Sequence, residues 1–135
     1  MKSTRPMAAT RPGAFALAAL AASMSLSFAA SAQEAIPAEH AVRFIGTTGM
    51  VCGTVERTRH ATNTEGEPTF LYMGGNFPRH TFTARIPGSI RGTFTPAPEE
   101  LRGQDVCISG SIQRDASRAE IAVSSAADIR LANIR

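Results

Sequence analysis

Two stretches of this chain alternate apolar and polar residues around a cysteine. Val51, Gly53 and Val55 alternate with Cys52, Thr54 and Glu56. Val106, Ile108, Gly110 and Ile112 alternate with Cys107, Ser109 and Ser111. A period of two marks a strand with one buried face, because successive side chains point to opposite sides. In both stretches the cysteine stands opposite the Val/Ile face. A disulfide between them therefore requires the two strands to be neighbours with matching faces. Two alternatives stay open at this point: a pair of buried free thiols, or half of a zinc site, for which no His stands at ligand spacing.

The rest of the chain is read around those two strands. Residues 33–36 form a short tail. A short helix is expected over 37–45, with Pro37 in its first turn and Gly46 after its last. Ala38, Ala41, Val42 and Ile45 lie on one helical face. Strands are expected over 49–58, 68–73, 80–86, 104–113 and 119–124, with a sixth over 128–134. The polar segment 59–67 is a loop, and the Pro- and Gly-rich segment 88–103 is irregular, with a helical turn at Pro98–Leu101. Five short strands in about a hundred residues suggest a small barrel or sandwich. Pairing the first strand with the fourth favours an all-β, five-stranded Greek-key barrel of the OB type, occupying residues 37–135.

Residues 1–32 read as a signal peptide. Lys2, Arg5 and Arg11 precede an apolar run from Ala14 to Ala30, which ends in the small residues Ala30-Ser31-Ala32. Cleavage is expected after Ala32. A membrane anchor is the competing reading, but it needs about 20 strongly apolar residues, and this run is shorter and rich in Ala and Ser. The expected location is periplasmic or secreted. In an oxidising compartment an even pair of cysteines is most simply a disulfide. Closing its loop would contribute roughly 4 kcal/mol in the chain-entropy description.

Removing residues 1–32 also changes the charge. The whole chain carries 14 basic and 11 acidic residues. Three of the basic residues and none of the acids lie in the first 32, so 11 face 11 in the remainder, and all of those 11 basic residues are Arg. A strongly basic footprint, the usual mark of phosphate-backbone binding, is missing. Recognition of an anion must then come from local clustering of Arg. With 43% hydrophobic and 19% charged residues, the composition excludes a wholly disordered or fibrous chain.

The run Gly49-Met50-Val51-Cys52-Gly53-Thr54-Val55, then Gly66-Glu67-Pro68-Thr69-Phe70-Leu71, Asn76-Phe77-Pro78 and Phe82-Thr83, resembles a family of small exported bacterial OB-fold domains. Pro98-Glu99, Leu101, Gly103 and the run from Val106 to Ile112 fit the same pattern. The resemblance spans about residues 37–131. It implies a five-stranded barrel, a cysteine pair joining the first and fourth strands, and single-strand nucleic-acid binding, with no catalytic residues. The chain departs from the family at two places. Its third strand runs Phe82-Thr83-Ala84-Arg85-Ile86-Pro87-Gly88 in place of an apolar strand ending in Trp-Gly. Its last hairpin reads Arg114-Asp115-Ala116-Ser117-Arg118 in place of Tyr-Gly-Lys-like residues.

OB barrels hold single strands with stacking aromatics and basic side chains, chiefly on the second and third strands. The expected ligand-binding residues are Phe70, Tyr72, Phe77, Arg79 and Arg85, drawn from a wider set that includes Phe82, Arg57, Arg59 and Arg91. Phe70 or Phe82 reads more readily as core than as platform, and the Arg residues more readily as a solvated surface balanced by Glu56, Glu65 and Glu67. His40, His60 and His80 are scattered and read as surface residues. Glu99 and Glu100 begin a helical turn, where acids favour its positive end. No metal, cofactor or catalytic residue is expected, and the protein is not expected to be an enzyme. The expected role is an exported, monomeric binding module for single-stranded nucleic acid. The rival is a periplasmic structural or interaction module that binds a protein or a cell-wall glycan, which the balanced charge favours.

Overall fold

A computed structural model describes residues 33–132. The expected signal peptide, residues 1–32, lies outside them, as does the end of the sixth expected strand. Seven strands are present: β1 (Ala35–Pro37), β2 (Thr48–His60), β3 (Thr69–Met73), β4 (Phe82–Ile86), β5 (Asp105–Asp115), β6 (Arg118–Ala122) and β7 (Ile129–Leu131). Five of them close a barrel in the order β2-β3-β4-β6-β5 and back to β2. Its β4–β6 pair is parallel, and the other four pairs are antiparallel. This is the Greek-key barrel of the OB type that the strand pattern predicts.

Closure depends on β2, which is 13 residues long. Thr48–Thr54 pair with β5, while Val55–His60 pair with β3. The register slips between Val55 and Arg57, and such a bulge bends a strand and increases its twist. One strand thereby serves both halves of the barrel. Its alternation carries through: Val51 and Val55 are fully buried, together with Leu71, Met73, Phe82, Ile108, Ile112 and Ile121. Each such side chain contributes about 1.5–3 kcal/mol on leaving water.

Cys52 and Cys107 are direct cross-strand partners, with Cα atoms 4.1 Å apart, and are joined as a disulfide. The free-thiol and half-zinc alternatives are thereby excluded. The expected helix is a 3₁₀ helix, Ala38–Phe44, that packs against the barrel with Ala38 and Ala41 buried. Small side chains are needed there, since a Cβ on Gly53 would lie 3.0 Å from that of Ala38. The segment read as a tail differs from expectation: Ala35–Pro37 pairs in parallel with Met50–Cys52. Three residues are too few to show a period, so only the exposed edge of β2 reveals their conformation. On the other flank β7 pairs with β5 through Val106–Ile108.

Candidate nucleic-acid interface

The period of β3 sends Leu71 and Met73 into the barrel and Phe70 and Tyr72 outwards. The Phe70 and Tyr72 rings stack 6.2 Å apart at 10°. The connection between β3 and β4 folds back over this pair and adds two more rings. Phe77 lies 5.0 Å from Tyr72, and His80 lies 4.4 Å from it. Phe77 and His80 themselves stack at 5.5 Å and 12°. Four rings thus share one patch outside the barrel.

Charge reaches the patch from both sides. Arg57 and Arg59 of β2 stand opposite Tyr72 and Phe70. The Arg57 guanidinium lies 4.7 Å from the centre of the Phe77 ring, within cation–π range. On the other side, Thr83 and Arg85 of β4 stand opposite Tyr72 and Phe70. Beyond them the β5–β6 hairpin brings Asp115 and Arg118. Arg118 donates to the carbonyl oxygens of His80 and Pro78 and so pins the aromatic connection to the barrel. Arg59, Phe70, Tyr72, Phe77, His80, Thr83, Asp115 and Arg118 line a hollow of about 190 Å³.

Exposure separates contact surface from support. Phe77 is 41% exposed, whereas Tyr72 is 6% and His80 4% exposed. Phe77 is therefore the open ring, and Tyr72 is the floor beneath it. Phe70 is half-buried and Arg85 is exposed. Arg79 is exposed on the same connection but lies outside the hollow's lining. Phe82 is fully buried in the core. Arg91 serves elsewhere: it pairs with Glu99 at 2.6 Å and donates to Thr69, whose side chain faces the barrel interior. That is the only ion pair among the described residues, so Arg57, Arg59 and Arg85 keep their charge on the patch without one.

Burial displaces two protonation equilibria here. Desolvation, and then the Arg118 charge, lower the His80 pKa from its ordinary 6.5, against an opposing pull from Asp115. The net effect favours its neutral form, and its buried Nδ1 has no hydrogen-bond partner among the described residues. Glu120 moves upwards through desolvation and then the Asp115 charge, with Arg85 opposing.

Sequence patterning placed Phe70 and Tyr72 on one strand face and named Phe77 as a candidate, but it missed three contributors. His80, expected at the surface, is buried against Tyr72. Its neighbours Arg79 and Pro78 are polar or turn-forming; the rings of Tyr72 and Phe77 cover it, and Arg118, far along the chain, holds its carbonyl. Arg118 and Asp115 read as hairpin residues, and no local signal separates them from ordinary turn positions. Among the described residues no three His, Cys, Asp or Glu side chains converge as a metal site. No described helix is long and apolar enough to cross a membrane.

No family model matches the chain, and no curated protein matches it. Among solved structures it is similar to a crystal structure assigned as an aspartyl-tRNA synthetase from Leishmania major Friedlin, at 15% identity and a TM-score of 0.47. The likeness covers 78% of this chain and 22% of that one.

Proposed function

We propose that this protein is an exported binding barrel that takes up single-stranded nucleic acid on its outer β2–β3–β4 face, without catalysis. The observation that carries the reading is Phe77, an exposed ring with the Arg57 guanidinium over it, seated on Tyr72 and His80, with Phe70 stacked on Tyr72 beside it. A base stacked on such a ring contributes about 1–3 kcal/mol. Arg57, Arg59 and Arg85 supply local positive charge for phosphates despite the balanced total. Export rests on the signal-like segment 1–32 and on the disulfide, which suits an oxidising compartment.

Tyr72 makes the test direct. It is the only Tyr in a chain without Trp, so intrinsic emission near 300 nm reports on the floor of the patch. Short single-stranded DNA and RNA should change that emission and raise the anisotropy of a labelled strand, with affinity falling as salt rises. A flat titration at low salt rejects the reading. A second reading, a periplasmic module for a protein or glycan partner, is favoured by the balance of 11 basic and 11 acidic residues after position 32. Under that reading glycan or protein alters Tyr72 emission and the strands do not.

A further inference from the structure

The hollow beside the aromatic patch is too small for a run of nucleotides. Small-molecule sites usually enclose about 300–1,000 Å³, and this one holds about 190 Å³. That space suits a single planar ring system. Its walls also differ in sign. Arg59 arrives from β2, on one flank of the aromatic strand, and Asp115 arrives from the β5–β6 hairpin, beyond β4 on the other flank. Neither is held in an ion pair among the described residues, and on its own hairpin Asp115 lies within side-chain hydrogen-bonding reach of the Glu120 carboxyl. Arg118, the other cation in the lining, is engaged with the carbonyls of His80 and Pro78.

A stacking floor with a carboxylate on one side and a guanidinium on the other discriminates among bases. An ionised carboxylate only accepts hydrogen bonds, through two oxygens, and a guanidinium only donates. Guanine alone among the common bases carries two adjacent donors, N1–H and the N2 amine, which match a carboxylate. It also carries two adjacent acceptors, O6 and N7, which match a guanidinium. Adenine and cytosine offer one amine beside an acceptor, and thymine offers one N–H between two carbonyls. Building on the binding reading above, we infer that the hollow is a guanine-selective pocket for one unstacked base of the strand. Asp115 receives the N1/N2 edge, Arg59 the O6/N7 edge, and Phe70, Tyr72 and Phe77 carry the ring.

Thymine pentamers with a guanine, hypoxanthine, adenine, cytosine or thymine at the central position test this. Each competes for the protein against a labelled guanine pentamer, with Tyr72 emission followed in parallel. Guanine should bind at least about tenfold more tightly than thymine, adenine or cytosine. Hypoxanthine, which lacks only the N2 amine, should fall between. Asp115→Asn should lower the guanine-to-thymine ratio several-fold, with the remainder held by Arg59 on the O6/N7 edge. If all pentamers bind alike, or another base is preferred, the pocket assignment is overturned while the binding reading stands. If none binds, the binding reading itself fails. A guanine-to-thymine ratio unchanged in Asp115→Asn also overturns the assignment. Should that variant not fold, the hypoxanthine comparison on the unaltered protein still decides.

Discussion

Phe77 and His80 come from the same short connection yet do opposite work. Phe77 is open to solvent and touches Arg57, but it also covers the buried Tyr72 and His80 rings. Phe77→Ala should weaken strand binding by about 1–3 kcal/mol and lower stability by about 1 kcal/mol, because Tyr72 and His80 lose their cover. Tyr72 emission titrations and thermal melts would check both. Arg57→Ala should lower the slope of log affinity against log salt by about one, read from titrations at several salt concentrations. His80 acts on stability. Its folded pKa lies below the ordinary 6.5, so the unfolded chain binds the proton first as pH falls. The contribution is therefore complete above pH 6.5 and is lost as pH drops through the lowered value. Melting temperatures of the protein and of His80→Phe, measured across that window, should show a steeper acid decline for the protein. Glu120 has the opposite sign, because its raised pKa favours folding in its protonated form at low pH.

At the scale of the element, the connection from β3 to β4 decides whether the patch exists. Gly74 opens it at φ +75°, where a Cβ would run into the Thr81 hydroxyl and lie 3.2 Å from Ala38 backbone atoms. That hydroxyl lies 3.1 Å from the Ala38 carbonyl and 3.0 Å from that of Gly74, tying the connection to the 3₁₀ helix. Gly74→Ala is strained in both respects and should cost about 1–3 kcal/mol in urea unfolding. Strand binding should fall with it, since Phe77 and His80 hang from that turn. The elements themselves were largely legible. The alternation about Cys52 and Cys107, and the apolar run before Gly74, mark β2, β5 and β3. β1 was not legible, because its conformation comes from the edge of β2 and not from its own three residues.

At the scale of the whole molecule, the fold rests on a pairing between residues far apart. Cys52 and Cys107 are separated by 55 positions, and their strands form the seam that closes the barrel. Joining them restricts the unfolded chain, which adds roughly 4 kcal/mol in the entropy description. That is a large share of the 5–15 kcal/mol typical of a whole domain. Urea unfolding of Cys52→Ser/Cys107→Ser should show a loss near that size, and reductant should have no further effect on the variant. A loss below about 1 kcal/mol would mean that β2–β5 pairing alone restricts the chain.

The sequence by itself determined the strand periods, the faces that enter the core and the class of barrel, because a period of two and a few turn residues are local properties. It also placed Phe70 and Tyr72 on one face of β3, since that strand alternates, and it named Phe77 as a candidate without locating it. Only the tertiary structure decided which rings are open and which charges meet them. His80 packs against Tyr72 and Phe77 while Arg118 of another hairpin holds its carbonyl, and Asp115 faces the aromatic patch because β4 pairs in parallel with β6. Contacts of that kind join residues dozens of positions apart. No local pattern encodes them, and closure of the barrel brings them together.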